Sequence, residues 1–156
     1  MDIPLSIITR LSHQHETIRD LPKEFTEEQI RRQLIPGKWS IFENIAHLQS
    51  YQHVFIGRTG EIVKGKNPSF APYVAEADPL FLDCCERSLK DVINDLMETR
   101  SQIIKLISLL PPEDLIKKGR HPKYGNLGLL HWIDFFLLHE AHHLFTIFKL
   151  AGEYRK

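Results

Sequence analysis

The 156-residue sequence predicts an all-α protein, a four-helix bundle with long connections, organised as a single domain over residues 1–156. Three observations carry this expectation. Apolar residues recur at three- and four-residue steps in four long segments, the period of a helix with one buried face. No convincing run alternates apolar and polar residues as a half-buried strand does. Helix punctuation (a capping box, a proline pair, a late glycine) falls at the segment ends.

The first predicted helix runs from about Pro4 to Leu21, with Leu5, Ile8, Leu11, His15 and Ile18 along one face, and "DLPKEF" ends it. The second begins at Ser40, where "SIFE" reads as a capping box. The Ser40 hydroxyl accepts from the amide of Glu43, whose carboxylate reaches back to the amide of Ser40. This helix is expected to reach about Gly57 or a little beyond, before "GKNPSFAPY" (65–73). The third spans about Pro79 to Leu110 on a stripe that includes Leu82, Leu89, Ile93, Leu96, Ile103 and Ile107. Pro111 and Pro112 stop it, since proline cannot continue the hydrogen-bond ladder. "KKGRHPK" (117–123) is expected to be a solvated loop. The fourth helix runs from about Asn126 to Leu150, with Gly152 as its stop. At 1.5 Å per residue it is about 36 Å long, enough to cross the bundle.

A hydrophobic content of 42%, a charged content of 26% and zero formal net charge suit a soluble globular protein. They give no electrostatic case for nucleic acid or an anionic membrane, which favour a basic excess. "MDIPLSIITR" lacks a basic region before a long apolar stretch, so no secretory signal is expected. The most apolar run, 127–138, is broken by His131 and Asp134 and falls short of the ~20 residues a membrane span needs. Cys84 and Cys85 are adjacent and form no C-x-x-C motif. They read as ordinary thiols of a reducing compartment, with the cytoplasm as the expected location.

Among the nine histidines, His13, His15, His53 and His121 are expected on the surface or helix flanks. His131 is expected as a satisfied core residue. The stretch His139-Glu140-Ala141-His142-His143 differs, because it spells H-E-x-x-H. Residues four apart share a helix face, so His139 and His143 can aim at one metal; His139 and His142, three apart, offer an alternative pairing. A peptidase reading fails. No histidine follows in 144–156, and the extended motif is broken by Thr146 where glycine belongs and Lys149 where histidine belongs. Glu140 also points about 100° around the helix from His139. A third ligand is then sought upstream, where "WSIFENIAHLQ" (39–49) offers His47 in mid-helix.

Together, Trp39-Ser40, Glu43 and His47-Leu48 on the second helix, His139 with His143 on the last, and the intervening "HPKYGNLGLLHW" (121–132) resemble the DinB-like (YfiT-like) metal-binding four-helix bundle superfamily. The resemblance covers nearly the whole chain in order and spacing. It implies a solvent-open site of three histidines, His47, His139 and His143, with His142 on a neighbouring face. It further implies a metal-dependent enzyme acting on a small molecule, by thiol-dependent S-transfer or by hydrolysis. The implied cofactor is a divalent metal, zinc or nickel first, with a low-molecular-weight thiol as co-substrate. Neither nucleic acid nor membrane is an expected partner, and a homodimer is one option. The alternative is a non-catalytic, metal-binding or dimerising bundle, whose ion would be closed in by four protein ligands. Thr146 departs from the Gln or Asn often found there in the family, which bears on substrate contacts rather than on the ligands. Glu43 either orients the second nitrogen of His47 or only completes the cap.

Overall fold

A computed structural model describes residues 2–156, the side chains of residues 21 and 22 aside; Met1, at the head of the stretch read for a signal, lies outside the described residues. In chain order the elements are α1 (Leu5–His13), α2 (Thr17–Asp20), α3 (Glu27–Arg31), α4 (Ile41–Val63), α5 (Pro79–Glu86), α6 (Leu89–Ser108), the strands β1 (Lys118–His121) and β2 (Gly125–Gly128), and α7 (Leu129–Tyr154). The bundle is built from α1, α4, α6 and α7. α4 packs on α5, α6 and α7, and α1 packs on α7. No helix among the described residues is long and apolar enough to cross a membrane.

The predicted cap starts α4 as expected. Glu43 N donates to the Ser40 hydroxyl at 3.1 Å, and Ser40 N donates to the Glu43 carboxylate at 2.6 Å. Elsewhere the boundaries differ from expectation. The first predicted helix breaks at a 3-10 turn over Gln14–Glu16, whose tighter winding ends the straight stripe. Ile7, Leu11 and Ile18 are buried, whereas Leu5 and Ile8 are 77% and 45% exposed. α3 was not expected; Thr26 and Gln29 cap it reciprocally. The single helix predicted over 79–110 is two helices. Arg87 is extended, and Ser88 restarts the chain by accepting from the Asp91 amide at 3.1 Å. Gly152 lies inside the end of α7, so it does not stop that helix.

The expected solvated loop at 117–123 is instead half of a hairpin. β1 and β2 pair antiparallel, with His121 opposite Gly125 across Pro122, Lys123 and Tyr124. Proline suits the first bend of such a loop, and Gly125 takes the left-handed conformation (φ 73°) that closes it. Gly119 and His121 face inward. A Cβ on Gly119 would stand 2.7 Å from Ile62 Cγ1, so only glycine lets the hairpin lie on α4. Trp132 Nε1 donates to the Gly119 carbonyl at 3.1 Å. At its base, the first amides of α7 find acceptors: Leu129 N donates to Lys117 O and Leu130 N to Leu115 O.

The apolar interior falls into two clusters. One gathers Ile18, Ile45, Leu96 and Ile147; the other gathers Leu11, Phe55, Ile103 and Phe136. Between them lie buried or half-buried polar residues: His15 from the turn after α1, His47, Gln49 and Gln52 from α4, Thr99 and Arg100 from α6, and His139 and Glu140 from α7. α4 and α6 pass from the first cluster to the second, while α7, and α1 followed by α2, pass from the second to the first. The four helices therefore do not simply alternate in direction. The long connection through α5 returns the chain so that α6 runs parallel to α4.

Candidate metal centre

His47 and His139 meet across the α4–α7 interface at the level of the polar layer. Their Nε2 atoms are 3.0 Å apart. His143, one turn along α7 from His139, brings its own Nε2 to 3.2 Å from that of His139. All three ligating atoms lie within 4.8 Å of one another. Two imidazole nitrogens bound 2.0–2.1 Å from one tetrahedral ion are about 3.3 Å apart, so the spacing suits a shared divalent cation.

Burial keeps these rings neutral. It lowers His47 from its ordinary 6.5 to about 3, with the neighbouring His143 adding to the effect. Burial, then His143, His47 and His142, take His139 down to about 2, and burial and His142 take His143 to about 4. A neutral imidazole offers one lone pair, and for His143 the structure fixes which nitrogen carries it. Asn44 Nδ2 donates to the Ser40 carbonyl at 2.8 Å, so its oxygen is the atom facing His143 Nδ1, also at 2.8 Å. The proton of His143 therefore sits on Nδ1, and its bare Nε2 faces the other two rings. His47 Nδ1 and His139 Nδ1 are buried without a hydrogen-bond partner among the described residues. Those rings are held by aromatic neighbours: the Trp39 ring lies 4.8 Å from His47, and the Tyr51 ring 4.3 Å from His139.

The three rings line a cavity of about 610 Å³ whose walls include Trp39, Tyr51, Arg58, Tyr73, His121 and Phe135. Tyr73 is fixed by donating to Asp78 at 2.7 Å, with the Ser50 hydroxyl 3.0 Å away. Burial raises both tyrosines above their ordinary pKa, so their phenols stay protonated. A larger hollow of about 980 Å³ lies on the far side of Trp39 and His143, but it touches neither His47 nor His139.

The remaining candidates separate. His142 is exposed and stands outside the triangle. Glu140 turns away into the interior, where it is paired with Arg100 at 2% and 0% exposure and accepts from Gln14 Nε2 at 2.9 Å. Arg100 also donates to Gln52 at 2.9 Å. The H-E-x-x-H glutamate is thus the partner of a buried arginine. Glu43 is occupied by the cap and by Gln33, 2.9 Å away, and holds no histidine. Asn44 supplies that hold instead, to His143, and its position three residues before His47 on the same helix face was the signal for it. His13 and His53 are exposed as expected. His15 and His121 are buried at 6% and 8%, against expectation, because the 3-10 turn and the hairpin fold them inward. His131, expected in the core, is exposed on the face of α7 opposite Trp132 and Ile133.

The comparisons with known proteins agree with this architecture. YfiT from Bacillus subtilis, described as a probable metal-dependent hydrolase with an unusual four-helix bundle topology, superposes with a TM-score of 0.81 at 18% identity over 95% of this chain and 85% of that one. The four-helix bundle protein TT2238 gives 0.67 at 18% identity, over 91% and 95%. A DinB-like protein from Bacillus subtilis gives 0.65 at 14% identity, over 97% and 93%. No curated protein matches the sequence. The family model of the DinB superfamily matches residues 10–147, most of the polypeptide. The chain belongs to the DinB superfamily.

Proposed function

We propose that the protein is a metal-dependent enzyme acting on a small molecule, with one divalent ion, zinc or nickel first, held by His47, His139 and His143. The observation that carries this reading is the convergence of three neutral imidazole nitrogens on the wall of an open cavity. The description of YfiT as a probable metal-dependent hydrolase points the same way. Held by these three histidines, such an ion would supply Lewis-acid chemistry, lowering the pKa of a water or a thiol near it.

The chain's own residues hold and shape the site. Asn44 orients His143, while Trp39 and Tyr51 press on His47 and His139. Tyr51 presents a protonated phenol to a substrate in the cavity, while Tyr73, whose proton is donated to Asp78, offers its oxygen as an acceptor. Cys84 and Cys85 are pushed by burial up to about 11, so neither is a thiolate at neutral pH, and neither lines the cavity. If the reaction is S-transfer, its thiol comes from outside as a low-molecular-weight co-substrate. The two free thiols accord with a reducing, cytoplasmic setting.

Elemental analysis of protein purified without a metal-affinity tag tests the ligand set. His47→Ala, His139→Ala and His143→Ala should each lose the ion, and His142→Ala should keep it; the reverse result for His142 and His143 would defeat the assignment. Chelation should lower the melting temperature, since a ligand at 100 times its Kd adds about 2.7 kcal/mol, yet leave the helical circular dichroism intact. Turnover of esters or amides without thiol identifies a hydrolase, and turnover of electrophiles only with added thiol identifies a transferase. A second reading, a non-catalytic metal-binding dimer, is favoured by the exposed face of α7 bearing Leu138, Phe145 and Phe148. It requires concentration-dependent dimerisation and no turnover by metal-loaded protein.

A further inference from the structure

We propose that Arg58, His121 and Lys123 form an anion-recognition site at the hairpin end of the histidine cavity, selecting small-molecule substrates that carry a carboxylate remote from the reacting bond. This deepens the reading of the cavity as a substrate site and rests on it.

Arg58 lies on α4 eleven residues after His47 and lines the same cavity. Among the described residues it has no carboxylate in ion-pair range. One terminal nitrogen donates to the Ala71 carbonyl at 2.9 Å, and the guanidinium is 5.2 Å from the Phe70 ring centre and 5.7 Å from that of Trp132. A half-buried guanidinium steadied in this way keeps donors free, and its planar fork matches a carboxylate.

His121 adds a donor of fixed direction. Its Nδ1 accepts from the amides of Lys123 and Tyr124, both at 3.1 Å, so the ring proton of the neutral form is on Nε2. The ring is held against Tyr124 at 4.8 Å and Phe135 at 4.8 Å and lines the cavity. Arg58 and Lys123 line the same cavity, and after burial their charges lower the pKa of His121. Lys123, at the tip of the turn, is exposed and also without an acidic partner among the described residues. The hairpin carrying both residues is fastened to α4 and α7 through Gly119 and Trp132, so the donors are set before a ligand arrives.

The cavity's acidic residue, Glu76, accepts from the Trp39 indole at 3.1 Å, placing it beside the histidines' tryptophan neighbour. Tyr51 bridges the two ends: its ring packs on His139, and the Arg58 charge works against the burial that raises its pKa. At 1.5 Å per residue the Cα atoms of His47 and Arg58 are about 16 Å apart, a span that the long arginine side chain shortens. A substrate satisfying both ends therefore has its anion several bonds from the group that reacts.

The test compares 4-phenylbutanoate with its neutral amide, 4-phenylbutanamide, following the His121 ring protons by NMR. Zinc-loaded and chelator-treated protein are both titrated. The carboxylate should bind about tenfold more tightly than the amide in both forms, as expected for charge-assisted hydrogen bonds. Arg58→Gln should bring the two probes to within about twofold, and Lys123→Gln, at an exposed position, should reduce the preference without disturbing the fold. Equal binding by wild-type protein overturns the proposal. So does a preference that vanishes on chelation yet survives Arg58→Gln, since the carboxylate would then sit on the ion. Failure of the metal reading is separate: the protein would take up no zinc while its carboxylate preference persisted.

Discussion

Asn44 determines which nitrogen of His143 is free. Its amide nitrogen is committed to the Ser40 carbonyl, so its oxygen takes the Nδ1 proton of His143 at 2.8 Å. The capping residue of α4 thereby sets the tautomer of an imidazole on α7.

Removing that tie should weaken metal binding without unfolding the protein. Asn44→Ala is expected to lower zinc affinity about 10–100-fold, the usual effect of losing a partner behind a ligand. Competition against a chromogenic chelator measures it. Unchanged affinity, with the fold intact by circular dichroism, would rule out this role for Asn44.

Glu140→Leu should be among the most destabilising single changes, costing about 3–5 kcal/mol, because Arg100 would be left charged and buried at 0% exposure. Adding Arg100→Met should recover most of the loss, since the pair is replaced by apolar groups of similar size. Urea unfolding of the two single variants and the double variant checks this. A peptidase-like general base would behave differently: its loss would stop turnover and leave stability alone.

His15, away from the metal centre, contributes one share of the protein's response to acid. Burial first, then Arg100, lower its pKa from 6.5 to about 4. Between those values the unfolded chain binds the proton and the folded chain does not, so stability rises with pH across this window. The contribution is complete above pH 6.5 and is lost as pH falls toward about 4. Urea midpoints across the window should fall on acidification, with His47, His139 and His143 adding to the slope in the metal-free protein, and His15→Met should reduce the slope by the share of one group. An equal slope in the variant would assign the response to other groups.

Gly119→Ala should loosen the hairpin. The new methyl would meet Ile62 Cγ1 at 2.7 Å and Cδ1 at 2.9 Å, and Ile62 is fully buried. The cost is about 1–3 kcal/mol by the usual scale of overpacking. The NMR signals of His121 should broaden or shift at the same time. Wild-type stability together with unchanged His121 signals would contradict the packing described.

Much of the bundle is legible because long helices write their burial into the spacing of apolar residues. The Ser40–Glu43 pair marks a start to the residue. Periodicity alone reads through a break when both flanking helices are amphipathic, which is why Arg87 and Ser88 are hidden in one predicted helix. The Ser88–Asp91 spacing was the available signal. The hairpin escapes because "KGRH" and "GNLG" lack the β-branched and aromatic residues of ordinary strands. Its stability comes from Ile62 and Trp132, contacts distant in sequence. At the site, His47, His139 and His143 stand in motifs. Tyr73 and His121 are brought to the cavity by tertiary packing, which no local spacing encodes, whereas Arg58 stands three turns after His47 on the same face of α4.

The polar layer across the middle of the bundle also governs how the molecule breathes. The two apolar halves share few contacts, Tyr73 packing on both, so one should open briefly while the other stays shut. Amide hydrogen exchange should therefore resolve two slow populations, one around Ile45 and Leu96 and one around Phe55 and Ile103. His47 and His139 sit on the seam, each drawn from a helix that crosses it. Whatever binds there slows both populations together, whereas a cavity cut into one half quickens exchange on that side alone.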